Sequence, residues 1–161
     1  MSQEEIDNNF SFEKKKHQEF FLPYYQEKNW IVSKDNINGN TPISWDVRLE
    51  VFAGKFKLVD EKALRKEWKN CLVELIQCIK KKSWGWFYGE KDWVLYGSWN
   101  DISEIRPSSL YLIKMPELRE YVYNLDGVLK TVISHKGFGI TWNIALSWED
   151  LINKSVAKKL I

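Results

Sequence analysis

Residues 44–62 read SWDVRLEVFAGKFKLVDEK, and this stretch decides the fold. From Ser44 to Ala53 apolar and polar residues alternate. Trp45, Val47, Leu49 and Val51 point one way, and Ser44, Asp46, Arg48 and Glu50 point the other. That period of two predicts a strand with one apolar face. Gly54 marks a turn, and residues 55–62 read as the return strand of a hairpin. A turn centred on Gly54 sets Asp46 opposite Lys62 and Arg48 opposite Asp60. Opposed residues share a face, so Asp46, Asp60 and Lys62 gather on one side. Phe56 and Leu58 lead that stripe, which ends in Asp60 and Lys62. Lys57 and Glu61, on the other parity, read as solvent-facing charges. Two carboxylates on neighbouring strands suit a hard divalent cation, and a lysine beside them can orient a water. The same residues also read as a cross-strand ladder of opposite charges.

Outward from the hairpin, residues 1–11 are polar and read as a flexible N-terminus, with a single domain over 12–161. Residues 12–29 predict an amphipathic helix through Phe20, Phe21, Tyr24 and Tyr25, kinked at Pro23. A loop follows as far as Pro42. After the hairpin, ALRKEWKN reads as a short helix. CLVELIQCI (71–79) reads as a central strand buried on both faces. WGWFYG, WVLYGSW and SLYLIKM read as strands, and Pro116 opens a helix. VLKTVISH and GFGITWNIAL form a last strand pair. Ser147, with Asp150 three residues on, caps a final helix. The fold class is α/β (α+β), with one central mixed sheet flanked by helices.

Composition excludes several classes. Apolar residues make up 44% and charged residues 29%, a globular balance rather than a disordered one. No apolar run is long enough for a membrane helix, and the N-terminus lacks the basic-then-apolar order of a secretory signal. The expected localisation is cytoplasmic. Cys71 and Cys78 fit no metal spacing and read as buried, reduced thiols. No Gly-rich phosphate loop and no Gly-x-Ser-x-Gly elbow occurs. His17 reads as a surface residue and His135 as a turn residue. Nine tryptophans are unusual for 161 residues, and they suit a core, an interface or base stacking equally.

Asp46, a short hairpin, then Asp60-Glu61-Lys62 resembles the core of the PD-(D/E)xK nuclease superfamily, whose fold is restriction endonuclease-like. Trp45 stands where a proline commonly precedes the first Asp. The leading helix, the acidic strand VELI with Glu74, Gly85-Trp86 before an aromatic strand, DWVLYG, and Leu118-Arg119-x-Tyr121 follow in the order seen in phage-type and mobile-element members. The resemblance covers roughly residues 12–152. It implies a metal-dependent endonuclease that hydrolyses DNA phosphodiester bonds with Mg2+ or Mn2+. Asp46 and Asp60 would be metal ligands and Lys62 the catalytic lysine, with the Glu61 backbone carbonyl a further ligand. Glu74 would extend the metal site or pair with a base. Glu13 and Glu19 of the leading helix would be further acids in reach. Lys80, Lys81 and Lys82 would contact the DNA backbone, as would Lys14, Lys15 and Lys16. Both runs also read simply as solvated faces. A homodimer is compatible with this reading. The alternative is a catalytically inactive nuclease-like module that binds DNA or a protein partner. A third reading is an interaction protein using exposed Trp side chains.

Overall fold

The computed structural model describes residues 3–39, 44–78, 83–125, 131–136 and 139–161. Helix α1 (Gln3–Lys16) runs through a π-helical turn (His17–Phe21) into α2 (Leu22–Glu27). Next come β1 (Ile31–Asp35), β2 (Val47–Phe52), β3 (Lys55–Leu64), β4 (Asn70–Cys78), β5 (Ser83–Trp84), β6 (Trp93–Ser98) and β7 (Ser109–Lys114). Helix α3 (Met115–Tyr123) precedes β8 (Thr131–Lys136) and β9 (Gly139–Ser147). Helix α4 (Trp148–Asn153) and β10 (Ala157–Lys159) complete the order.

The expected hairpin forms, with a tighter turn. Val47 faces Val59 and Arg48 faces Leu58, so each partner lies two residues earlier than a Gly54-centred turn implies. Ala53 and Gly54 alone make the turn, with Gly54 at φ 72° and a bulge between Glu50 and Phe52. The Glu50 carboxylate accepts the Gly54 N–H at 2.8 Å. Arg48 therefore lies over the Phe56 ring instead of facing Asp60. A shift of two preserves the side each residue faces, so the polar cluster survives the change.

The chain is a mixed α/β structure, but it builds two sheets where one was expected. Six strands lie in the order β1-β2-β3-β6-β7-β10, with β3 and β6 parallel and the other pairs antiparallel. The second sheet has the order β5-β4-β9-β8. CLVELIQC is thus an inner strand of the second sheet, with Cys71 and Val73 buried and Leu72 and Glu74 half-buried. The expected helix in ALRKEWKN does not form. Ala63 and Leu64 stay in β3 because Gly97 and Ser98 of β6 offer them a parallel ladder, against a stretch too short to nucleate a helix alone. β1 forms in a segment that read as loop, and β10 follows the final helix as an additional strand. The N-terminal stretch expected to be flexible is helical from Gln3. Pro23 lies inside the continuous helical run, directly after the π-helical turn, so the hydrogen bond its missing N–H cannot make falls where the regular α-helical ladder is already interrupted. Ser147 caps α4 as expected, its hydroxyl accepting the Asp150 N–H at 3.3 Å.

The larger sheet is a middle layer. Phe20, Phe21, Tyr24 and Tyr25 cover one face, on Val47, Leu49, Val59 and Leu95. On the other face Val94, Tyr96 and Ile113 pack with Cys71, Val73, Ile144 and Leu146 of the second sheet, and with Leu118 and Leu151 of the later helices. Each such side chain contributes about 1.5–3 kcal/mol by leaving water. Burial pushes the Cys71 thiol well up, so it is inert at neutral pH. The Cys78 and His135 side chains and Lys80, Lys81 and Lys82 lie outside the described residues. No helix among the described residues is long and apolar enough to cross a membrane.

Candidate active site at the open edge of β3

Strand β3 outruns β2. Their pairing ends at Val47–Val59, where the Asp46 N–H still donates to the Val59 carbonyl at 2.8 Å. Beyond that step β3 keeps β6 but has no β2 partner. Asp46 fills the gap: its Oδ2 accepts the Glu61 N–H at 2.7 Å. Helix α1 closes over the same edge through Arg65, which donates to the Asn8 carbonyl and lies over the Phe12 ring.

Asp60 and Lys62 share one face of β3, as expected. Asp60 is buried, and each of its oxygens accepts from an ammonium: Oδ1 from Lys62 at 2.9 Å and Oδ2 from Lys91 at 2.8 Å. Lys91 also donates to the Trp86 carbonyl at 2.8 Å. Motif spacing did not single out Lys91. It arrives because Asp92 exchanges two 2.8 Å hydrogen bonds with the Leu58 backbone, which starts the parallel ladder of β6 one step early. Gly85 leads into this loop, and there only glycine fits, since a Cβ would collide with the Glu74 carbonyl. Arg119 of α3 holds the loop from outside through the Phe87 and Gly89 carbonyls. Two of the resemblance motifs, Gly85-Trp86 and Leu118-Arg119, therefore converge on one task.

The electrostatics is uneven. Burial, then the neighbouring Asp60, pushes the Asp46 carboxyl up to about 8. Burial also works against Asp60, but Lys62 and Lys91 outweigh it and hold this carboxyl below the usual range. The Lys62 side chain is about a quarter exposed (26%), and despite desolvation the surrounding acids Asp60, Glu13 and Asp46 raise its pKa. Lys91 is lowered by burial, against the pull of Asp60. Of the two helical acids, Glu13 joins the cluster. Burial raises it, and it feels Lys62, Asp60 and Glu74. Glu19 instead pairs with Lys15 and Lys16, 3.7 and 3.6 Å away. Glu74, half-buried on β4, acts on Glu13 through its charge.

Glu61 corrects the sequence reading. Its side chain is buried on the opposite face, where Oε2 meets His17 Nδ1 at 2.7 Å and Oε1 accepts the Tyr25 hydroxyl at 2.6 Å. His17, expected at the surface, is fully buried, and its Nε2 lies 2.9 Å from Asp35. Glu61 and Asp35 outweigh its burial and hold the imidazole up to about 9. The signal was available in part: His17 follows the apolar spacing of Phe20, Phe21 and Tyr24 onto the core face of the helix. Lys16 is also buried rather than solvated, donating to the Glu104 carbonyl at 2.6 Å.

Among the described residues no three His, Cys, Asp or Glu side chains stand close enough together to enclose a metal ion. Glu13, Asp46 and Asp60 are oxygen donors, and a cation would relieve the repulsion and desolvation that raise Glu13 and Asp46. Both Asp60 oxygens accept from ammonium groups, Lys62 on one and Lys91 on the other. Comparison with known proteins returned nothing: no family model, no curated protein and no solved structure matches the chain.

Proposed function

We propose that the chain is a hydrolase with a carboxylate–lysine centre of the PD-(D/E)xK type on a restriction endonuclease-like core. Its proposed reaction is metal-dependent cleavage of DNA phosphodiester bonds. The observation that carries this reading is the cluster at the open edge of β3, where Asp46, Asp60 and Lys62 lie together with Glu13 in electrostatic reach.

Asp46 and Asp60 would hold Mg2+ or Mn2+, with Glu13 as a third oxygen donor. The Glu61 carbonyl and Glu74 are further donors in the proposal. When bound, the ion would polarise the phosphate and lower the pKa of a bound water. Lys62, partly exposed and cationic, would orient the attacking water and face the charge growing on the phosphate oxygens. Water oxygen ends on phosphorus, the P–O ester bond breaks, and the departing sugar oxygen gains a proton. Buried Asp60 keeps Lys62 charged and aimed. DNA backbone contact by Lys80, Lys81 and Lys82 belongs to the same proposal, as does a homodimer with cytoplasmic localisation.

A second reading, a nuclease-like module that only binds DNA or a protein partner, is favoured by one observation: both Asp60 oxygens already carry ammonium partners. Nicking of supercoiled plasmid separates the two. The nuclease reading expects conversion to open-circular or linear DNA with Mg2+ or Mn2+, blocked by EDTA and by Asp46→Asn. DNA binding without any cleavage by wild type would decide for the binding module.

A further inference from the structure

The face of β3 that carries Asp60 and Lys62 continues past the candidate site toward the hairpin turn. Leu58 and Phe56 lie along it. The pairing of β2 with β3 sets Arg48 opposite Leu58 and Glu50 opposite Phe56, so both share that face. Cover is lost in the same direction. Asp60 is buried, Leu58 and Arg48 are half-buried, and Phe56 is 41% exposed. Phe56 stands four residues before Asp60, about 13 Å along the strand. The Arg48 guanidinium carbon lies 4.2 Å from the centre of the Phe56 ring. A guanidinium over a ring uses its face and leaves its N–H edge for other partners. Among the described residues no carboxylate forms an ion pair with it. Glu50, the acid on the same face of the hairpin, accepts the Gly54 N–H instead. At the turn, Lys55 Nζ lies 5.9 Å from the centre of the Phe52 ring, which is 69% exposed. Residues 47–58 thus hold Arg48, Lys55 and Lys57 against one acid, Glu50, a balance that suits a polyanion.

We infer that Arg48 is a phosphate-binding residue for the DNA strand, held on the Phe56 ring along the same face as Asp60 and Lys62, and that it grips a backbone phosphate beyond the one that is cleaved. A guanidinium presents paired donors that match two phosphate oxygens. Stacking on the ring limits its freedom beforehand, so less is lost when the phosphate arrives. Such a contact positions the strand and carries no sequence information. The inference rests on the reading of DNA as substrate and adds where the strand runs: from the site outward along the β2–β3 hairpin. It requires no metal ion.

The test is binding of a fluorescent DNA duplex to full-length protein in EDTA, read by anisotropy between about 50 and 200 mM salt. Arg48→Gln is expected to weaken binding about tenfold at the low-salt end and to flatten the log–log salt slope by about one. Arg48→Ala serves equally, and whichever of the two folds suffices. Arg48→Lys should keep the slope while losing part of the affinity, because the charge stays and the paired donors go. Lys158→Gln makes the same change of charge on β10, at the end of the larger sheet opposite β1, and should bind as wild type does. Wild-type affinity and slope in the neutral Arg48 variant would overturn the inference. Equal losses in that variant and in Lys158→Gln would overturn it too, since overall charge would then account for both. Either result leaves the nuclease reading intact. No DNA binding by wild type at about 50 mM salt would remove the inference together with the DNA reading beneath it.

Discussion

Asp46 lies just before β2 and Asp60 on β3, yet their surroundings drive them in opposite directions. Asp60 is stabilised as a carboxylate by two lysines, while burial and that same carboxylate make ionised Asp46 unfavourable. Their neutral variants should therefore differ. Asp60→Asn leaves Lys62 and Lys91 buried against half a partner and is expected to cost about 3–5 kcal/mol as well as any cleavage. Urea titration measures the first and plasmid nicking the second. Asp46 has the opposite sign. Its folded pKa, about 8, lies above the unfolded value, so its contribution is full below that unfolded value and is lost as pH rises through about 8. Asparagine cannot ionise and keeps an oxygen for the Glu61 N–H. Asp46→Asn should then unfold at a higher temperature than wild type at about pH 9, while losing cleavage. A lower melting temperature for Asp46→Asn at that pH would count against this.

At the scale of elements, the site depends on how β3 is held from both faces. Glu61, between the two site residues of β3, anchors the strand to the helical layer through His17 and Tyr25. His17 is held up to about 9, above its unfolded value near 6.5. Its contribution is full below about pH 6.5 and is lost as pH rises through about 9. His17→Gln should accordingly show a shallower fall in stability from about pH 7 to about pH 10 than wild type, as read by melting temperature. On the other side of the strand, Gly85→Ala drives a methyl into the Glu74 carbonyl. It should destabilise by more than the ~1 kcal/mol typical of a substitution, with the loop carrying Lys91 losing amide-exchange protection first. The hairpin and the side each of its residues faces were legible in the sequence, because period-two alternation survives a register error of two. The exact register was not, since a two-residue turn closed by a bulge leaves no mark beyond Gly54. Lys91 was not legible either. It reaches Asp60 through a parallel pairing between segments some thirty residues apart, and local pattern does not report such pairings. Glu61 and His17 were misread because charged residues usually face water. Here each offsets the other's burial across the helix–strand interface.

For the whole molecule, the division of labour between the sheets decides where chemistry can happen. The larger sheet is covered on both faces, and within it β3 presents a short stretch without a β2 partner, where β2 has ended and α1 leans in. The sequence showed a mixed α/β chain but merged two sheets into one, because strands carry no label of which sheet they join. With a formal net charge of only +2, the proposed DNA binding would draw on local cationic groups. Binding to duplex DNA, measured by fluorescence anisotropy, should fall steeply between about 50 and 200 mM salt, with a log–log slope reporting the phosphates contacted. A salt-independent affinity would argue against a backbone contact.

The proposed divalent-ion site at the acids beside β3 is open to direct test. Calorimetric titration of Mn2+ at about pH 7, in buffers of different ionisation enthalpy, tests it on wild type and Asp46→Asn in parallel. Wild type is expected to bind with release of close to one proton per ion, because Asp46 must ionise to coordinate, and Asp46→Asn to bind more weakly with less proton release. Absence of binding to wild type at millimolar Mn2+, or equal affinity and equal proton release in the two proteins, would contradict it.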